Sequence, residues 1–324
     1  MKTKDIFAEY AEELKTVDQQ LMGIFSSNVF LIPMIGKHIL GSGGKRMRPL
    51  FLLLSADLCG YRETNRTLLA AIIEAIHTAS LLHDDVIDGA ETRRGNATAH
   101  AVWGNQVVIL VGDFLYSKAL KIAVDQRKQK IMEALSEATT RMTEGEILQL
   151  HKIGDPEITR EEYFEIIAAK TGVLISAACR IGAILANQPE DREMALSRFG
   201  MKTGIAFQLA DDVLDYVASQ KDLGKKLGKD LEEGKITMPL IYLLKSASDS
   251  EQDEIRQIIN ERTKSSKGLG RIMELFSKYH AIEESLKIAQ VLIEEAKSEL
   301  GIFPPSDKKE TLLAMAEYAM QRKE

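Results

Sequence analysis

The chain runs to 324 residues, 45% hydrophobic, 28% charged and 6% aromatic, with a formal net charge of −6. That is globular material, long enough for one large or two modest domains, and it lacks the basic footprint of a nucleic-acid binder. Cys59 and Cys179 have no C-x-x-C partner, and the six histidines form no H-x-x-x-H or H-E-x-x-H pattern, so a disulfide framework and a zinc site are both disfavoured.

Period-3.6 patterning dominates and period-2 alternation is nearly absent. This predicts helices at about 4–24, 28–40, 47–59, 64–88, 103–125, 127–151, 159–186, 190–220, 237–246, 251–263, 268–299 and 306–322. Gly60 and Gly89 fall where C-terminal caps belong, Thr159 with Glu162 fits a capping box, and Pro304-Pro305 breaks the chain before the last helix. No internal Ser, Gly or Pro linker exceeds a few residues. The expectation is one all-α domain over residues 1–324, a bundle of roughly a dozen helices. The first five residues lack the apolar core of a signal peptide, and no apolar run approaches ~18 residues, so a cytoplasmic protein without a membrane span is expected.

Two copies of D-D-x-x-D stand 127 residues apart, Asp84-Asp85-Val86-Ile87-Asp88 and Asp211-Asp212-Val213-Leu214-Asp215. In a helix, positions i and i+4 share a face with Cβ atoms ~5–6 Å apart, so each motif presents carboxylates side by side. Both follow long apolar runs, which places acid at helix C-terminal ends, where it is electrostatically unfavourable. A hard cation is the expected compensation. Mg²⁺ binds through few carboxylates, keeps waters and takes phosphate oxygens, so a metal-bridged diphosphate site is expected. If the two apolar helices are central and end at one mouth, their carboxylates face each other across a cavity.

A diphosphate also needs cations. Gly41-Ser42-Gly43-Gly44-Lys45-Arg46-Met47-Arg48 is a glycine loop from which Lys45 and Arg48 can clamp phosphate, although it lacks the order of a P-loop. Arg93 and Arg94 follow the first acidic motif and can serve two different anions. Lys170 precedes Thr171 inside an apolar helix, where an unpaired cation is costly and a diphosphate would offset the cost. Lys225 and Lys235 lie in Gly-rich segments after the second motif. His77 sits seven residues before Asp84 on the same helix face, in position for a phosphate hydrogen bond. Gln208, three residues before Asp211, can aim an amide oxygen at a developing cation. His83 and Trp103 are assigned to packing or surface.

Together these residues closely resemble the trans-prenyl diphosphate synthases, the polyprenyl synthetase family, over nearly the whole chain. The resemblance rests on Gly43-Gly44-Lys45…Arg48-Pro49, Leu82–Asp88, Arg93-Arg94-Gly95, Gly112-Asp113, Lys170-Thr171, Phe207–Asp215, Gly228-Lys229-Asp230 and Gly234-Lys235. Within the family it is most similar to bacterial octaprenyl diphosphate synthases of quinone pathways. It implies an all-α bundle of isoprenoid-synthase type around a deep cavity, usually a homodimer. It implies isopentenyl diphosphate bound by Lys45, Arg48, His77 and Arg94. An allylic diphosphate, such as farnesyl diphosphate, would lie among Arg93, Lys170, Thr171, Gln208, Lys225 and Lys235. Asp84, Asp88 and Asp211 would be the direct ligands of several Mg²⁺ ions, with Mn²⁺ a possible substitute. Asp85, Asp212 and Asp215 would support them. Tyr318, Arg322 and Lys323 match a basic tail that closes over the site.

The helix before Asp84 is expected to line the route of the growing chain. Short-chain members that stop at farnesyl carry an aromatic ring near Ala79 and Ser80. Here the residues are small, and Ile76, Ala75 and Ile72 deeper down are not aromatic. Twenty residues of helix give ~30 Å, or about six isoprene units at ~5 Å each. A hexaprenyl to decaprenyl product is expected, octaprenyl favoured, with Ile131, Met132 or Leu135 as the floor. Rival readings are a geranylgeranyl diphosphate synthase, a catalytic subunit of a heteromeric hexa- or heptaprenyl synthase, a terpene cyclase, and a non-enzymatic metal-binding helical interaction protein. The cyclase would not need two diphosphate sites, and the interaction protein would not need the cations.

Overall fold

The computed structural model describes residues 3–41, 43–217, 228–260 and 266–320. Helix dominates, as expected, and the only paired strands among the described residues form one two-residue ribbon. The chain gathers into two compact units. One comprises Met1–Thr139, Leu174–Gly200 and Leu300–Met315. The other comprises Thr140–Val173, Met201–Glu299 and Ala316–Glu324.

The first unit opens with α1 (Thr3–Glu9), α2 (Ala11–Ile24), α3 (Leu31–Gly41), α4 (Met47–Leu58) and α5 (Asn65–Ile87). The helix expected over 4–24 is two, because the chain turns at Tyr10, whose buried hydroxyl donates to Asp57. Helix α5 packs against α2, α4 and α7 (Asn105–Asp125). Its run from Leu69 to Ile76 is wholly buried, as an all-round apolar helix must be. The charges it carries inward are neutralised: Glu74 by Arg46 at 3.1 Å, and Arg66 by Asp57 and by Glu13 at 2.5 Å. Gly60 (φ 78°) and Gly89 (φ 62°) cap α4 and α5 in the left-handed region. Tyr61 and Ala90 then return N–H bonds to the carbonyls of Ala56 and Asp85 at 2.9 and 3.1 Å, the Schellman pattern.

After α5 come β1 (Thr92–Arg93), β2 (Asn96–Ala97) and α6 (Ala99–Trp103), then Gly104 (φ 82°), which separates α6 from α7. The ribbon escapes pattern reading because two-residue strands carry no alternation. Its loop, Arg94-Gly95, has φ of 51° and 78°, the type I′ geometry that matches strand twist.

Helix α8 (Gln129–His151) precedes α9 (Arg160–Ile167), which starts at the expected Thr159–Glu162 capping box. The helix expected over 159–186 is interrupted by a π-helical turn, Ala168–Gly172, before α10 (Val173–Leu185). Length and composition alone would let Arg160–Leu185 cross a membrane, which corrects the expectation that no stretch is apolar enough; 83% of its most apolar window is buried within the protein.

Next are α11 (Glu190–Val217), α12 (Lys229–Glu232), α13 (Met238–Ser246), α14 (Asp249–Asn260), α15 (Ser266–Tyr279), α16 (Ala281–Glu299) and α17 (Asp307–Met320). The helix expected over 268–299 breaks at His280, whose φ is 55°. In the second unit, glycines set the contact between α11 and the π turn. A Cβ on Gly204 would lie 2.6 Å from the Gly172 Cα, and one on Gly145 of α8 would lie 2.5 Å from the Ala169 Cβ. The expected helix ends at 218–220, 261–263 and 321–322 lie outside the described residues.

Candidate active site

In the first unit the glycine loop enters α4 through Arg46, held in the left-handed region at φ 50°. Arg46 is committed to protein acids, Asp18 at 2.6 Å and Glu74 at 3.1 Å, so it braces the loop. Lys45 is exposed. Arg48 Nη1 lies 3.0 Å from His77 Nε2. Burial, reinforced by Arg48, Arg93, Arg94 and Arg46, holds the His77 imidazole well below its usual pKa. It is neutral, so Nε2 accepts from Arg48 and Nδ1–H remains a donor.

The hairpin after α5 brings two arginines to the same place. Arg93 grips the buried Asp85 through Nε at 2.8 Å and Nη2 at 2.7 Å. Arg94 donates to the Gly43 carbonyl, and His38 Nε2 is 2.8 Å from the Ala97 carbonyl oxygen, so the hairpin is tied to the glycine loop and to α3. A cavity of about 60 Å³ results, lined by His77, Asp85, Arg93, Arg94 and Glu74 among others. The two arginines were expected as cations for anions; here each already serves a protein oxygen. Asp84 is half-buried and Asp88 exposed at the end of α5.

His83 and Trp103 pack as expected. His83 Nε2 lies 3.1 Å from the Ile109 carbonyl oxygen and 3.5 Å from Asp113, and Trp103 meets the His38 ring edge-on at 5.0 Å. Gly112 makes room, since a Cβ there would stand 2.3 Å from His83 Nε2.

In the second unit a cavity of about 140 Å³ is lined by Lys170, Lys235, Gln208, Asp212, Asp230 and Tyr163 among others. Lys170, on the π turn, is not the unpaired cation expected from its apolar context. Its ammonium pairs with Glu146 at 2.5 Å and also meets Gln149, both one helix away on α8. Lys235 pairs with Glu233 at 2.7 Å. The Gln208 amide oxygen, expected to be aimed at a cation, accepts from the Thr171 hydroxyl at 2.7 Å. Its NH₂ donates to Asp212 Oδ1 at 2.8 Å. Tyr163 donates to Asp212 Oδ2 at 2.7 Å. Lys225, Arg322 and Lys323 lie outside the described residues; Tyr318 is half-buried on α17.

Sequence reasoning missed Tyr163, Glu146 and Gln149, which come from other helices and carry no motif. Asp230 it quoted without a role. Burial pushes Asp212 up to about 7, with Asp211 and Asp215 adding repulsion against the hydrogen bonds from Tyr163 and Gln208. Burial, then Asp212 and Asp215, likewise raises Asp230 well above the usual range. Asp215 takes the Asp230 backbone N–H at 3.0 Å.

Among the described residues no three His, Cys, Asp or Glu side chains converge as a metal cage. Asp85, Asp212 and Asp215 turn to protein donors. The residues nevertheless fit a hard divalent ion. Four carboxylates crowd the second unit's cavity region, where burial and neighbouring acids raise Asp212 and Asp230, and a cation with oxygen ligands would relieve that. An all-carboxylate donor set suits magnesium, manganese or calcium over zinc.

Of the residues expected to limit chain length, Ala79 and Ile76 have no accessible surface and line neither cavity. Ser80 is half-buried, with its hydroxyl on the His77 carbonyl at 2.8 Å.

Residues 31–276 match the family described as polyprenyl synthetase. The chain is 38% identical over 317 residues to octaprenyl diphosphate synthase of Escherichia coli (strain K12), covering 96% of each. It is 40% identical to the all-trans-nonaprenyl-diphosphate synthase (geranyl-diphosphate specific) of Rhodobacter capsulatus, covering 98% of each. Polyprenyl synthase from Caulobacter crescentus CB15, solved with calcium and isoprenyl diphosphate, superposes with a TM-score of 0.94 at 36% identity, covering 100% of this chain and 98% of that one.

Proposed function

The chain belongs to the polyprenyl synthetase family and is a trans-prenyltransferase, and from that premise we propose that it condenses isopentenyl diphosphate head-to-tail onto an allylic diphosphate such as farnesyl diphosphate, with octaprenyl diphosphate as the product for quinone side chains. One observation carries the reading: each unit holds its own cavity, edged by one acidic motif and its own cations. A two-diphosphate reaction needs two such places.

Isopentenyl diphosphate is assigned to the first cavity. Arg48, Arg94 and the exposed Lys45 supply charge, and the neutral His77 supplies an N–H. The allylic diphosphate is assigned to the second cavity, with Lys170, Lys235 and Lys225. Lys170 and Lys235 must share their present carboxylate partners with phosphate, which moderates ground-state binding. Mg²⁺ would be held by Asp84 and Asp88 of the first motif and by Asp211 of the second, with Asp85, Asp212 and Asp215 in support and Mn²⁺ a substitute, and would supply Lewis-acid charge to the departing diphosphate. Thr171 and Gln208 present hydroxyl and amide groups to the allylic carbon, which stabilise positive charge without trapping it covalently. The double bond of isopentenyl diphosphate attacks that carbon, and the proton then lost passes to the released diphosphate, so no His–carboxylate base is required.

The same reading takes residues 1–324 as one functional domain and the chain as a cytoplasmic homodimer. The free thiols of Cys59 and Cys179 support the compartment. Exposed apolar residues on α7, Ile109, Leu110 and Val124, support the dimer.

The test uses the purified chain with Mg²⁺, farnesyl diphosphate and labelled isopentenyl diphosphate, sizing the dephosphorylated products. A ladder ending near octaprenyl supports the reading. A stop at geranylgeranyl keeps the chemistry and overturns the chain-length assignment. No product from the chain alone, restored by a partner subunit, makes it one component of a heteromeric synthase. Ala79→Tyr is expected to shorten the product, and an unchanged length would remove α5 as the wall of the tunnel.

A further inference from the structure

A line of three hydrogen bonds crosses the second unit, and the Asp212 carboxylate fixes its direction, because a carboxylate oxygen accepts. Tyr163 turns its proton to Asp212 Oδ2, 2.7 Å away. The other oxygen of Asp212 accepts at 2.8 Å from Gln208, which must therefore present its NH₂ and not its carbonyl. The Gln208 oxygen is thereby left to accept the Thr171 proton at 2.7 Å. Each proton in the line is spoken for. What remains at Gln208 and Thr171 is oxygen lone pairs, which is the polarity a developing carbocation requires and a diphosphate does not.

The line also explains two features that motif reading leaves idle. Tyr163 is wholly buried on α9, and nothing in its sequence context demands a hydroxyl there. Thr171 sits in the π-helical turn, so its hydroxyl is offset from ordinary helical register by the extra residue. An offset side chain needs a positional anchor, and Gln208 is that anchor.

We propose that Tyr163 is a positioning residue for the condensation: acting through Asp212, it fixes the amide of Gln208 and through that amide the hydroxyl of Thr171, so that both turn lone pairs to the allylic carbon. The proposal rests on the functional reading above. Removing the Tyr163 hydroxyl frees Asp212 Oδ2 and lets the Gln208 amide flip, at which point its NH₂ and the Thr171 proton point toward positive charge. The rate of ionisation then falls, while diphosphate binding, whose charge comes from the lysines and the carboxylate-bound metal that the Tyr163 substitution does not replace, is unchanged.

The experiment is a double-mutant cycle in the full chain with Mg²⁺, farnesyl diphosphate and labelled isopentenyl diphosphate, comparing Tyr163→Phe, Gln208→Leu and the pair. Tyr163→Phe is expected to lower kcat about tenfold with both KM values unchanged, the size of one lost hydrogen bond to a charged group. In the Gln208→Leu background the same change is expected to lower kcat less than about twofold, because the two residues act as one unit. Independent, multiplicative losses would make Tyr163 a packing residue and overturn the proposal, as would a loss expressed in KM. A thermal melt of each variant separates unfolding from mispositioning. If the unsubstituted chain makes no prenyl product with any partner, it is the functional reading that has failed; a product-forming chain with an unaffected Tyr163→Phe variant defeats the relay alone.

Discussion

Asp85 and Asp212 hold the same place in their motifs and are both buried, but their neutralisation differs. Asp85 meets a guanidinium with two bonds, whereas Asp212 meets neutral donors, and burial pushes it up to about 7. Removing the partner of a buried charge costs more than the pair itself contributes. Arg93→Ala is therefore expected to destabilise the protein by about 3 kcal/mol in urea unfolding. Arg93→Ala combined with Asp85→Asn should regain most of that loss; an additive loss would mean that the pair is not the source. The thiols offer a second check at this scale. Burial pushes both Cys59 and Cys179 up to about 12, so neither forms thiolate near pH 8. Iodoacetamide at pH 8 is expected to leave both unmodified in the native protein and to alkylate both in denaturant, read by mass. The acids and cations of the site were legible in the sequence because spacing and composition record them. Their partners were not. Tyr163 reaches Asp212 across 49 positions, and Lys170 finds Glu146 on another helix, contacts that only packing creates.

Helices were legible as periods, and their stops at Gly60, Gly89 and Thr159 as chemistry. The interruptions were not, because Tyr10, His280 and the turn at 168–172 break a helix without a Pro or a glycine cap. The π turn depends on glycines that bring α11 against it, so Gly204→Ala is expected to cost about 1–3 kcal/mol through overpacking and to lower kcat by displacing Lys170 and Thr171. Thermal unfolding and steady-state kinetics check it, and a variant with unchanged kcat would detach the turn from catalysis. Away from the site, Glu251 at the start of α14 accepts from Lys278 at 2.7 Å and Tyr279 at 2.6 Å on α15. With Ser248 they hold its carboxyl down to about 2. A depressed carboxylate contributes its stability fully above its unfolded value, about 4.3, and loses it as the pH falls toward the folded one. Glu251→Gln should thus lower Tm at pH 7, and the gap should close between about pH 4 and pH 2. A gap that is flat over that window would assign the effect to packing.

At the scale of the molecule, the class of fold and the chemistry followed from the sequence, while association did not, because exposed apolar residues look like any helix face until burial is known. Helix α7 shows the distinction. Val108, Val111, Leu115 and Ala119 face inward, and α7 packs on α5. On the other side Ile109, Leu110 and Val124 are 41%, 67% and 56% exposed, with Gln106, Asp113 and Lys121 also exposed around them. Ile109 and Val124 are fifteen residues apart, about four helical turns, with Asp113, Ser117 and Lys121 exposed on the same face between them. Exposed Ile109 and Leu110 next to such charges suit a second copy of the same helix, where a two-fold axis places each residue against its own surface. Placing a carboxylate in the middle of such a seam buries like charges against each other. Leu110→Glu is expected to convert a dimer to a monomer in sedimentation velocity at micromolar concentration, without lowering the monomer's helix content in circular dichroism, since the side chain is already solvent-facing. If the unsubstituted chain sediments as a monomer, or if the variant remains a dimer, α7 is not the seam. The apolar residues would then be explained as a surface for a different subunit, which is the arrangement that a heteromeric synthase requires.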